Sequence, residues 1–221
     1  MPLVPARRRE RILCGILLSV GILQFVLSMA VEQLFIPGYS LRNSYISDLG
    51  VGPHALVFNS SIVLLGLLIA VAALLLAAIF SPSGVTRVGL TLLVLAALAA
   101  IGVGLFPENS TALNGQAHTI FALVTFLAGN LSIILLGPAI RGALRSRGLA
   151  ILGYLGGTIG LVALVLYATG NDLVLGNGGM ERLIVAPLLL WGFVLGLTLL
   201  RHSGQPRITP WAPEGAQAPP A

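Results

Sequence analysis

No lysine occurs in these 221 residues, cysteine occurs once, and aspartate and glutamate together occur seven times. Each shortage removes a class of protein. With Cys14 alone there is no internal disulfide, and the redox compartment stays undetermined. Cys14 follows a run of arginines with no apolar region before it, so it reads as a small buried hydrophobe rather than a lipidation site. No HExxH and no GxSxG occurs, which removes the common zinc-protease and hydrolase signatures. Charged residues make up 9%, against roughly 25% in ordinary soluble domains. Hydrophobic residues make up 57%, and the mean hydropathy is +0.99. A soluble core of this length has no use for so much apolar surface.

What the chain has instead is long apolar runs. About 20 mostly apolar residues cross about 30 Å of hydrocarbon. Six stretches qualify: about 12 to 31, 56 to 80, 88 to 106, 119 to 140, 149 to 168 and 183 to 200. The expected fold is all-α, a polytopic integral membrane protein with six transmembrane helices in one bundle. A basic segment at 1–11 precedes this 12–200 domain. The tail at 201–221, rich in Pro, Ala and Gly, lacks the apolar content to fold and is expected to be disordered.

Charge sets the orientation. Of the twelve arginines, Arg7, Arg8, Arg9, Arg11, Arg87, Arg141, Arg145, Arg147, Arg201 and Arg207 fall on one side of a six-span topology, and only Arg42 and Arg182 on the other. Short loops rich in arginine stay in the cytoplasm, so both termini are expected there. Glu32, Asp48, Glu108, Asp172 and Glu181 lie on the opposite, outer side. The net charge of +5 does not point to nucleic acid, because the arginines sit where anionic headgroups attract them. Ser28-Met29-Ala30 resembles a signal cleavage site, yet the preceding run is long enough to span, and retention is expected.

Unusual residues gather in the outer connections at Gln33 to His54, Pro107 to His118 and Gly170 to Arg182. If Leu41 to Leu49 forms a short helix, Leu41, Tyr45 and Leu49 make an apolar stripe while Ser44 and Asp48 share a neighbouring face. Arg42 can then pair with Asp48 or a lipid phosphate. The plainer account is a capped turn with one ion pair. Pro107 ends the third span, and the hairpin brings Glu108 towards His118, where a carboxylate can orient an imidazole for proton transfer. The plainer account leaves His118 at headgroup level, binding water or phosphate. Glu181 and Arg182 open the last span, and their plainer role is to anchor it at the interface.

Inside the spans, Asn130 is expected to bond across helices, and Asn59 lies about one turn into the second. The stripe Ala122, Thr125, Gly129 and Ser132, with Gly156 and Gly160, suits tight helix contact. No span carries a charge at mid-depth, which argues against a proton-coupled transport path. A zinc set drawn from His54, His118, Asp48, Glu108 and Glu181 has no diagnostic spacing, and neither metal nor cofactor is expected. A hydrolase triad of Ser44, His118 and Asp48 has the residue types without the motif.

Tyr39-Ser40 through Ser47-Asp48-Leu49-Gly50, Gly104-Leu105-Phe106-Pro107-Glu108, His118, and Gly179-Met180-Glu181-Arg182-Leu183 with Trp191 carry a resemblance. From roughly Ile12 to Leu200, the chain resembles the family called domain of unknown function 998. That resemblance implies a small multi-pass protein of a prokaryotic plasma membrane, with no established activity. Ser44, Ser47, Asp48, Asn59, Glu108, His118, Glu181 and Arg182 match the family's polar pattern.

The resulting expectation is an outer pocket binding a lipid headgroup or small ligand. Arg42, Ser47, Asn59, Glu181 and Arg182 are its binding residues, with Ser44, Asp48, Glu108 and His118 beside them. The alternative is an intramembrane hydrolase or transferase acting on a lipid or lipid-linked substrate. In that reading His118 is the general base, with Asp48 or Glu108 as its partner and Ser44 as the nearby hydroxyl. Membrane lipids are the expected partners, and association with another membrane protein is left open. The orientation is directly testable: a reporter that works only in the cytoplasm, fused after Arg201, should be active, and activity only of a periplasmic reporter there would reverse the topology.

Overall fold

The computed structural model describes residues 8–203; the tail expectation for 204–221, Arg7 and Arg207 fall outside the described residues. Apolar runs in a bilayer must satisfy their backbone polar groups internally, which a helix does and a lone strand does not. Helix α1 is Arg8–Glu32, α2 Ala55–Ile79, α3 Gly84–Leu105, α4 Ala117–Leu135, α5 Gly137–Leu144, α6 Arg147–Ala168 and α7 Gly176–Ser203. All except α5 belong to the six helices that are long and apolar enough to cross a membrane. The chain is thus an all-helical, multi-pass membrane protein.

The surface shows what solvates it. On α1, Leu13, Ile16, Val20, Leu23 and Leu27 recur at helical spacing and face outward, with Leu27 54% exposed, while Cys14, Leu18, Ile22 and Phe25 face inward and are buried. A helix apolar on both faces fits a lipid surround.

Helices α1, α2, α3 and α4 pack in chain order, α6 sits against both α4 and α7, and α7 returns to α1 to close the ring. Helices α4 and α7 meet over a short stretch that includes Asn130 and Ile184, and α6 lies against both. Short caps turn the chain at the arginine-rich end. The Ser83 hydroxyl accepts from the Thr86 N–H at 3.1 Å, and the Ser146 hydroxyl from the Leu149 N–H at 3.3 Å.

The structure departs from the expected fourth span, which stops at Leu135 rather than near residue 140. Pro138, at the start of α5, has no N–H to continue the ladder, and at Gly137 the Tyr154 ring lies where a Cβ would stand. What reads as a basic turn after residue 141 is therefore partly helical, with Arg145 in the left-handed region at φ 50°.

Asn130 is fully buried. Its amide donates to Phe126 O at 2.9 Å within α4 and to Ile184 O of α7 at 3.3 Å, the interhelical bond expected of it. The acceptor lies next to Leu183, whose carbonyl Pro187 deprives of its helical donor. Helix α6 approaches α4 through Gly157, where a Cβ would stand 2.6 Å from the Asn130 carbonyl oxygen. A backbone atom there cannot give way. Gly157→Val should therefore destabilise the protein by about 1–3 kcal/mol or more, through overpacking, read as a lower thermal midpoint of the detergent-solubilised protein; an unchanged midpoint would refute this packing.

Candidate functional site

The first turns of α7 grip the backbone of the 39–48 loop. Gly176 has a φ of +72°, and a Cβ at Gly178 would stand 2.1 Å from Ser44 O, so only glycine lets the loop lie this close. Four contacts then fix it. The Gly179 N–H donates to Arg42 O at 3.1 Å, and Arg182 Nη1 donates to Ser44 O at 2.9 Å. Arg182 Nη2 donates to the Tyr39 hydroxyl at 2.6 Å, and the Ile46 N–H donates to Glu181 Oε2. The Tyr39 hydroxyl donates in turn to Tyr45 O at 2.8 Å. Burial pushes the Tyr39 phenol above its usual range, with Arg182 partly opposing, so it keeps the proton it donates.

These contacts explain why Leu41 to Leu49 is not a helix. The chain makes turns near residues 41–43 and a 3-10 turn at Ser47–Gly50. Carbonyls that an α-helix would spend on its own N–H groups are taken by Arg182 and Tyr39. Side chains cap the turns locally: the Ser44 hydroxyl accepts from the Ser40 N–H at 3.1 Å, and Asp48 Oδ2 accepts from the Tyr45 N–H at 2.7 Å.

A second group lies where the α3–α4 hairpin meets this loop. Ser47 Oγ donates to Glu108 Oε1 at 2.5 Å, and His118 Nε2 stands 3.9 Å from the same oxygen. His118 Nδ1 is 3.0 Å from Phe106 O. A carbonyl only accepts, so Nδ1 carries the hydrogen, and Nε2 is the nitrogen turned towards Glu108. The His118 side chain is 12% exposed and does not face lipid.

Ser47, Glu108 and His118 are thus brought together, with Glu181 on the neighbouring loop backbone. Ser44 is engaged by Ser40, so the hydroxyl joined to this group is Ser47. Asp48 bonds the loop rather than Arg42, whose side chain is exposed and has no partner among the described residues. Asn59 donates to Gly50 O at 2.9 Å and fastens the 3-10 turn to α2. His54 is elsewhere, 3.6 Å from buried Glu32 and edge-on to Phe35. Among the described residues no three His, Cys, Asp or Glu side chains group to hold a metal ion.

Two spaces adjoin the gripped loop. One is a groove of about 290 Å³ between α1 and α7, with Val26, Met29, Val185 and Leu189 as walls and Tyr39 and Arg182 at its polar end. The other is an elongated cavity of about 130 Å³ inside the ring, with Ser47, His118 and Glu181 at one end and Trp191 and Leu195 towards the other. Ala122, Thr125, Gly129 and Ser132 line this cavity, and Gly129 also meets Leu188 of α7 and Ala96 of α3, the close helix contact expected of the stripe. Gly156 and Gly160 do meet neighbouring helices, at Pro187 and Asn130. Tyr39 gave no sequence signal of its role, because its partner is 143 residues away.

A family model described as a protein of unknown function (DUF998) matches residues 19–198, from within α1 almost to the end of α7. No curated protein and no solved structure matches the chain.

The grip makes a measurable forecast. Removing the Glu181 acceptor, as in Glu181→Ala, should speed hydrogen exchange of the Ile46 amide by about 10- to 100-fold, in line with the ~1.5–3 kcal/mol of a charge-assisted hydrogen bond. Unchanged exchange at Ile46 with faster exchange elsewhere would show that the loop is held by other contacts.

Proposed function

The chain belongs to the DUF998 family of proteins of unknown function, and on that premise we propose that its loop end binds the phosphate of a membrane lipid headgroup on Arg182. One observation carries this reading. The guanidinium lines the groove between α1 and α7, yet no carboxylate lies within 4.0 Å of it among the described residues. Three of its five N–H donors go to Ser44 O, Gly178 O and Tyr39 Oη, leaving one on Nε and one on Nη2. A half-buried cation with no carboxylate in contact, coupled to Glu181 only at longer range and set against an apolar groove, suits an anionic group whose hydrocarbon lies alongside. Arg42, exposed on the same loop, adds attraction at longer range.

The second reading, an intramembrane hydrolase or transferase, is favoured by a different observation. His118 has Nδ1 held by Phe106 O and Nε2 turned towards Glu108 and Ser47, at the end of an internal cavity. The 3.9 Å separation is longer than a hydrogen bond, so the pair would have to tighten around a substrate before His118 acted as a base. Glu108, not Asp48, is the carboxylate beside it.

Native mass spectrometry separates the readings. Arg182→Ala should lose phosphate-bearing lipids by about tenfold or more relative to wild type, and Arg182→Lys by less, since it keeps the charge and loses the fork. Arg42→Ala should give a smaller loss. Lipid retention equal to wild type in all three variants would sink the headgroup site, whereas lipid cleavage products that vanish in His118→Ala would establish the enzyme.

A further inference from the structure

We infer that the internal cavity is a second site, distinct from the groove, which takes one hydrocarbon chain ending in a hydrogen-bond donor: a long-chain alcohol or amine rather than a fatty acid. The shape argues for a single chain. On α4 the lining runs from His118 to Ile133, and on α7 from Glu181 to Leu195. At about 1.5 Å of rise per residue these spans reach roughly 20 Å down the ring. The volume is about 130 Å³. By the measure in which one water occupies roughly 10–15 Å³, this holds on the order of ten methylene-sized groups in file, too few for two chains.

The walls are apolar for most of that length: Ile22, Phe58, Leu65, Ala100 and Leu189 are among them. The two hydroxyls deep in the lining are already spent, Thr125 on Phe121 O at 2.9 Å and Ser132 on Gly129 O at 2.7 Å. The one polar hydrogen deeper in the lining without a partner among the described residues is the Trp191 Nε1–H, which lies against Gly153 of α6.

The head is specified by the end at Ser47. Every donor there is committed: Ser47 Oγ to Glu108, the Ile46 N–H to Glu181, and His118 Nδ1 to Phe106 O. The rest of this end is the second oxygen of Glu181 and the His118 ring, with Glu108 behind Ser47. A hydroxyl, which donates and accepts, or an ammonium suits an end built of carboxyl oxygens and an imidazole, whereas a carboxylate adds two more acceptor oxygens where every other donor is already spent. Ile46, Val185 and Leu189 form a partition shared with the groove, so the two sites are neighbours with opposite preferences.

Trp191 lines the cavity beyond its middle, and the only other tryptophan is Trp211 in the tail. This supplies the test. In nanodiscs, full-length protein carrying Trp211→Phe should show fluorescence quenching by dodecanol brominated at its terminal carbon. Unlabelled dodecanol and dodecylamine should compete, and dodecanoate should compete about tenfold less well or worse. Ala100→Phe and, separately, Ala122→Leu fill the shaft and should abolish the competable quenching; the second guards against misfolding of the first, and retained phospholipid binding confirms that either is folded. Glu181→Gln should weaken dodecylamine more than dodecanol. Quenching that persists in both folded filling variants would place the chain outside the cavity, and equal competition by dodecanoate would overturn the donor-head assignment. Neither result bears on the headgroup site, which is read separately by phospholipid retention in native mass spectrometry.

Discussion

The junction between the first turns of α7 and the backbone of the 39–48 loop is the constraint on which the loop end depends. A loop lying over a bilayer carries carbonyls and N–H groups that need partners, and regular structure supplies few of them here. Helix α7 supplies the rest: a carboxylate for one amide, a guanidinium for one carbonyl, and glycines that remove the bulk between. Adjacent residues with opposite charge thereby perform complementary tasks on a single strand of backbone. Because the same turns of α7 also face the cavity and the groove, positioning the loop positions both spaces.

The ring itself relies on small residues more than on polar ones. Two amides are exceptions: Gln24 ties α1 to α2 by donating to Ser61 O at 2.9 Å, and Asn130 ties α4 to α7 where α6 glycines press against both. Such bonds contribute about 0.6 kcal/mol each within a bilayer, so close backbone packing carries most of the association. Helix α6, excluded from the cavity lining, acts as a cover lying against both α4 and α7.

Much of this was legible in the residues. Six apolar runs of spanning length read directly as the six long helices, because length and hydropathy need no tertiary information. The gathering of Glu108 with His118 followed from a hairpin whose ends are ten residues apart. The loop was not legible. A helix over 41–49 satisfied the spacing, but its carbonyls were claimed by Arg182 and Tyr39, and contacts across more than 130 residues leave no local pattern. Ser47 rather than Ser44 meets Glu108 because the 3-10 turn rotates the phase of those side chains. The interior cavity was hidden for a similar reason: a stripe of alanine, threonine, glycine and serine is the same in a sequence whether it meets a neighbouring helix or an empty shaft.

The separation of the gripped loop from its partner also has a bearing on biogenesis. Ile46 and Glu181 are 135 residues apart, and translation at about 5–20 residues per second puts roughly 7–30 s between their syntheses. Throughout that interval the Ile46 amide and the Ser44 carbonyl are without their α7 partners, and the ring stays open along α1. As the last of the described helices to leave the ribosome, α7 both completes the wall and orders the segment that follows α1, so maturation of this end of the bundle is timed by its arrival.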